Sequence, residues 1–151
     1  MTSLGCEQSL SQQFEIKMIF LQNYPIAIPF IAILLAETIK VLIDVIRKRK
    51  KIRFINPGGM PSGHSAAVAA LVVTIAYREG IGSTMFTIST VLALIVMYDA
   101  TTIRYESGLH AKILNKIKPK SNLEESIGHT LWEVVVGAIF GSLVAFVLLN
   151  I

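Results

Sequence analysis

Two histidines in this chain stand where an imidazole can move a proton or attack an electrophile. His129 lies four residues before Glu133, within Gly-His-Thr-Leu-Trp-Glu-Val, so on a helix the two side chains share a face and can meet. A carboxylate bonded to one imidazole nitrogen fixes the tautomer and makes the other nitrogen more nucleophilic, which marks His129 as a candidate attacking group. The plainer alternative is an interhelical hydrogen bond near a membrane interface. His64 belongs to Gly58-Gly59-Met60-Pro61-Ser62-Gly63-His64-Ser65, at the head of an alanine-rich run. Such a segment is a tight loop feeding a helix N-terminus, where outward backbone N–H groups and the helix dipole favour a phosphate. A histidine there can pass a proton. The segment reads equally as an ordinary turn, with Ser62 as N-cap and His64 a bystander.

Charged side chains accompany both. Asp99 and Arg104 flank the end of an apolar span in Met-Tyr-Asp-Ala-Thr-Thr-Ile-Arg. They read either as an ion pair anchoring a helix end or as a site in which the planar guanidinium clamps phosphate oxygens. Glu37, Lys40 and Asp44 are three and four residues apart, so all three share one helix face, which should look inward. Cys6 stands alone, which leaves no internal disulfide, zinc pattern or redox pair.

These groups are set in an apolar frame. The chain has 151 residues, 53% hydrophobic and only 16% charged, against roughly 25% charged in a soluble domain, with a mean hydropathy of +0.62. Its apolar residues are blocked into runs of about Tyr24–Ile46, Ser62–Tyr77, Thr84–Ile103 and Ile127–Ile151. The first, third and fourth approach or exceed the ~20 residues that cross a hydrocarbon core. The second is shorter and rich in small residues, and Gly63, Ala66, Ala67 and Ala70 fit it for close packing inside a bundle. The same reasoning applies to Gly137 and Gly141 in the last run. The expectation is an all-α integral membrane bundle of about four transmembrane helices over residues 24–151. A polar segment, 1–23, precedes it and does not read as a cleavable signal peptide.

Charge gives the orientation. Six basic residues fill Arg47-Lys48-Arg49-Lys50-Lys51-Ile52-Arg53 after the first run. Lys112, Lys116, Lys118 and Lys120 lie in what reads as a loop between the third and fourth runs. Only a short Glu79-Gly80-Ile81-Gly82 turn joins the second to the third. The positive-inside rule places both basic stretches, and with them both histidines, on the cytoplasmic face. Basic residues beside a phosphate site can also be there for the substrate, and a polybasic run binds anionic headgroups without catalysis.

Taken together, these residues resemble the divergent branch of the type 2 phosphatidic acid phosphatase superfamily, whose wider relatives include vanadium-dependent haloperoxidases. The shared elements are Lys40 and Arg47 with six residues between them, Pro61-Ser62-Gly63-His64, and a final histidine with an acid four residues on. Gly58-Gly59-Met60, Met97-Tyr98-Asp99-Ala100 and Gly128-His129 with Glu133-Val134 and Gly137 tie the chain to the divergent branch. Lys48 stands where the superfamily has proline, Leu123 where it has an arginine six residues before the final histidine, and Glu133 where it has aspartate. Its membrane members commonly have six spans.

The resemblance implies a metal-independent, cofactor-free lipid phosphatase. His129 attacks phosphorus, Glu133 orients it, and His64 protonates the leaving group. Lys40, Arg47, Arg104, Asp99 and the loop residues Gly58, Gly59, Ser62 and Gly63 form the substrate site. Arg104 is the candidate replacement for the missing arginine, and Arg49 or Arg53 can stand in for Arg47. A lipid phosphate monoester or prenyl diphosphate is the expected substrate. No nucleic-acid partner is expected, and so small a bundle is expected to pair as a homodimer. The alternative is a non-catalytic membrane protein that binds anionic lipid, as a scaffold or transporter subunit. A peroxidase lacks support, because the much larger soluble scaffold of those relatives is absent.

Overall fold

The computed structural model describes residues 23–46 and 58–150, and these form five helices and no strand. Helix α1 spans Ala27–Ile46, α2 Gly63–Glu79, α3 Thr84–Thr101, α4 Ile103–Ile117 and α5 Leu131–Asn150. Local chemistry sets the boundaries. Ser62 caps α2, its Oγ accepting from the Ser65 N–H at 3.4 Å, and Gly80 ends it at φ 83°, donating its N–H to the Ala76 carbonyl at 3.1 Å. Three residues later Ser83 caps α3 by accepting from the Phe86 N–H at 3.1 Å.

The small residues are inside and the large ones outside. Buried positions on α1 recur every fourth residue, at Ile28, Ala32, Ala36, Lys40 and Asp44. On α5 they are Val134, Gly137, Gly141 and Ala145, and on α3 Ser89, Ala93 and Ala100. Helix α2 is central and packs on α1, α3 and α5. Its Gly63, Ala66 and Ala70 are buried and Ala67 half-buried, as the sequence predicts for an inner helix. Ile28, Ala32, Ala70 and Ala145, all fully buried, form a hydrophobic cluster where α1, α2 and α5 meet. Meanwhile Phe30, Leu34, Met85, Ile95, Ile139, Leu143 and Phe146 are all exposed, Phe146 to 61%. A soluble protein rarely leaves so continuous an apolar exterior. Helices in lipid gain nothing by hiding leucine from the chain, and associate through small residues instead.

Among the described residues, two helical stretches are long and apolar enough to cross a membrane, Thr84–Ile117 and Leu131–Asn150. Helix α1 is interrupted by Glu37, Lys40 and Asp44, but Lys40 and Asp44 are turned inward and buried, as their shared face predicts.

Helix α4 corrects the sequence reading. The stretch between the third and fourth runs, expected as a basic loop, is helical from Ile103 to Ile117. The third run ends at Thr101, where Thr102 takes φ −114°, ψ −85° and breaks the helix. Helix α5 begins at Leu131, four residues later than the apolar run from Ile127, because the Glu125 and Ile127 carbonyls pack on Gly108 and Gly128, at φ 91°, packs on Arg104 and Tyr105 of α4.

Candidate active site

The loop at Gly58 and the head of α2 are held between α1 and α5. The Ser62 N–H donates to the Glu133 carbonyl at 3.1 Å, tying the loop to the first turn of α5. Gly137 faces Ser62, and Gly141 faces the Ala66 backbone so closely that no side chain fits between. On the other flank, a Cβ on Gly63 would collide with the Glu37 carboxylate. A Cβ on Gly59, which sits at φ 96°, would lie 3.8 Å from Lys40 Cδ. Ser62 itself is fully buried and accepts from the Ser65 hydroxyl at 2.9 Å.

His129 is held just before α5. Its N–H donates to the Ala100 carbonyl at the end of α3, at 3.0 Å, and Gly128, at φ 91°, abuts the Arg104 and Tyr105 backbone. The residue is 4% exposed, and its Nδ1 lies 3.3 Å from Glu133 Oε2. The same oxygen accepts from the Thr130 N–H at 2.9 Å, while Thr130 Oγ1 accepts from the Glu133 N–H at 3.4 Å. Thr130 and Glu133 thus form a reciprocal capping box. That cap is legible in Thr-Leu-Trp-Glu, but pairing Glu133 with His129 alone misses it. Because the cap locks the carboxylate, Glu133 reaches His129 from a fixed position.

Burial is the main influence on the His129 ring, which lies outside the spanning helix, and it holds the imidazole below the usual histidine range against the opposing pull of Glu133. The ring is therefore neutral at pH 7. With Nδ1 on the carboxylate, Nε2 is the ring nitrogen turned away from Glu133.

His64 is exposed at the head of α2. Arg104, Lys40 and Glu37 all act on it electrostatically, and Lys40 and His64 act in turn on His129. One turn of α1 and the N-terminal ends of α2, α4 and α5 therefore bring Lys40, His64, Arg104 and His129 into one electrostatic neighbourhood. Both cations are carboxylate-paired: Lys40 Nζ lies 2.6 Å from Glu37 Oε1, and Arg104 Nε lies 2.6 Å from Asp99 Oδ2. The Arg104 pair uses Nε, one of five guanidinium donors. From sequence Glu37 reads as part of an inward set but not as a member of the site, although its i,i+3 spacing to Lys40 carries the signal. Arg47, Arg49 and Arg53 lie outside the described residues.

A sequence profile of the divergent PAP2 family matches residues 21–144, which include every one of these groups. The chain belongs to that family. An uncharacterized membrane protein of Bacillus subtilis (strain 168), YuiD, is 35% identical over 153 residues, an alignment covering 87% of this chain and 97% of YuiD. No solved structure matches. This divergent PAP2 member is thus a helical membrane protein, and the family match carries both paired cations and both histidines.

Proposed function

We propose that this protein is a multi-pass membrane phosphatase that removes phosphate from a lipid phosphate monoester or prenyl diphosphate. The observation that carries the reading is an exposed His64, at the head of the central helix, within electrostatic reach of Arg104, of Lys40 and of a His129 whose Nδ1 lies 3.3 Å from a capped carboxylate. His129 Nε2 attacks phosphorus in line, forming the N–P bond as the P–O bond to the lipid breaks. Protonated His64 gives its proton to the departing oxygen. It then takes one from the water that cleaves the phosphohistidine, which releases phosphate and restores both rings. Lys40, Arg104 and the loop N–H groups of Gly58, Gly59, Met60 and Gly63 offset charge on the equatorial oxygens, since Pro61 has no N–H and that of Ser62 is taken by Glu133.

The purified protein in mild detergent, given a panel of lipid phosphates and prenyl diphosphates, should release phosphate. Vanadate, which mimics five-coordinate phosphorus, should inhibit it, and a metal chelator should not. One observation favours a second reading: both described cations are already paired with carboxylates, as in a site that holds anionic lipid without turnover. Saturable binding of lipid phosphate with no release of phosphate from any of the panel would favour that reading.

The site face is proposed to be cytoplasmic, with all four long helices crossing the membrane. In a Cys6→Ser background, a cysteine replacing Lys120 should resist impermeant thiol reagents in intact cells, and one replacing Ile81 should react. The reverse pattern would show that the lysines serve the substrate rather than topology.

A further inference from the structure

We infer that α4 is an interfacial helix, seated in the headgroup–acyl boundary of the leaflet on the site side and drawn there by anionic phospholipid. Three observations point to it. The first is length. The helical stretch Thr84–Ile117 has 34 residues, which as one unbroken helix would run ~51 Å, well past the ~30 Å hydrocarbon core. The 18 residues of α3 take up ~27 Å of that, and the helix breaks at Thr102. Ile103 therefore begins α4 where α3 leaves the core.

The second is the way α4 is attached. Only one stripe faces the protein: Gly108 and Ala111 are buried and Asn115 half-buried. Gly108 lies so close to the Ile127 and Glu125 carbonyls that a Cβ would stand 2.6 and 3.0 Å from them. Asn115 donates to the Leu123 carbonyl at 2.9 Å and to Glu125 Oε1 at 2.8 Å, and accepts from the Leu123 N–H at 2.9 Å. At its first turn Arg104 also pairs with Asp99 and Gly128 packs on the Arg104–Tyr105 backbone, while Leu109, His110, Lys112, Ile113, Leu114, Lys116 and Ile117 are all exposed.

The third is what the remaining surface carries. Leu109, Ile113 and Ile117 follow one another at four-residue spacing, with Ile103 and Leu114 beside them, and all five are exposed, Ile117 to 75%. Lys112 and Lys116 border this face, and Lys118 and Lys120 follow the helix. Glu106 and His110 fall on the apolar face itself and bar it from the deep core. An apolar stripe interrupted by polar groups and edged with lysine matches a surface with acyl chains beneath and anionic headgroups above. The lysine stems lie along the apolar boundary while their ammonium groups stay with the headgroups.

The consequence is positional. Arg104 is in the first turn of α4, and Gly128 packs on the Arg104–Tyr105 backbone. A bilayer that seats α4 thereby sets the height of Arg104 and of the segment carrying His129. The seating of α4 does not depend on whether the site turns over.

The test uses the full chain in nanodiscs, with Cys6→Ser and a single spin-labelled cysteine in place of Ile113, Ile117 or Lys120. None of these positions belongs to the docking stripe. With phosphatidylglycerol in the disc, the ratio of oxygen to water-soluble nickel accessibility should be several-fold higher at positions 113 and 117 than at 120. In phosphatidylcholine alone, that difference should shrink. Equal ratios at all three positions would place α4 in water and overturn the proposal. Exclusion of both agents at 113 and 117, with spin–spin broadening, would mean that a second copy covers the face, and would overturn it too. Immersion independent of phosphatidylglycerol would overturn the role given to the lysines.

Discussion

His129→Ala is expected to reduce phosphate release from a lipid phosphate to background while the bundle stays folded. The variant keeps the backbone N–H that bonds the Ala100 carbonyl, and it leaves the Thr130–Glu133 cap untouched, so α5 still starts where it does. What is lost is the one described imidazole with a carboxylate on Nδ1 and Nε2 left for attack. Acid-quenched wild type given labelled substrate should carry a phosphohistidine, and the variant should carry none. His64→Ala should be less severe, by about 10²–10⁴-fold, the usual range for a general acid, and milder still on substrates with good leaving groups. Glu133→Gln separates catalysis from folding, because glutamine serves at the same position of a capping box. It should leave thermal stability near wild type and still slow turnover, since the imidazolium formed at His129 loses its counter-charge. Near-normal activity in His129→Ala would remove the phosphohistidine reading.

The parts of this site that are legible in the sequence are those fixed by spacing along one helix. Lys40 and Asp44 share a face and are buried together; Ser62 caps α2; Gly137 and Gly141 meet α2 because residues four apart must. The parts that are not legible depend on contacts between segments. Helix α4 carries its apolar residues among Arg104, Glu106, His110, Lys112 and Lys116, so its charge reads as loop. Only the docking of Gly108 on residues 125–127 makes it a helix with an inner and an outer side. That docking also draws residues 127–130 out of the last apolar run and delays α5 to Leu131. Glu37 reads as an inward charge, yet its contact with Gly63 across two helices has no mark in local spacing. The Thr130–Glu133 cap differs, since its motif is present, but the spacing from Glu133 to His129 offers the same carboxylate a second partner.

Gly141→Val is expected to disrupt the fold more than valine at any other glycine of the helices. A Cβ at Gly141 would lie within 2.6 Å of the Ala66 Cα and carbonyl carbon, and closer still to its oxygen. These are backbone atoms in the central helix, and they cannot rotate aside as a side-chain tip can. Valine also adds two methyl groups to that clash. Overpacking typically costs about 1–3 kcal/mol and occasionally more, and relief here requires α2 and α5 to part along their whole contact. Parting them breaks the Ser62 to Glu133 backbone bond and separates the two histidines, so folding and any activity should fail together. Gly137→Val should behave similarly, because a Cβ there meets the Ser62 oxygen at 2.5 Å and nitrogen at 2.9 Å. Gly82→Ala is the matched control: a Cβ at Gly82 meets nothing within 4 Å, and alanine there should leave stability unchanged or raise it by about 0.4–1 kcal/mol through the unfolded chain. Size-exclusion profiles and thermal aggregation temperatures in one detergent would compare the set. Gly141→Val eluting and melting like Gly82→Ala would mean that α2 and α5 do not meet backbone to backbone, and the placement of His64 beside His129 would fall with that contact.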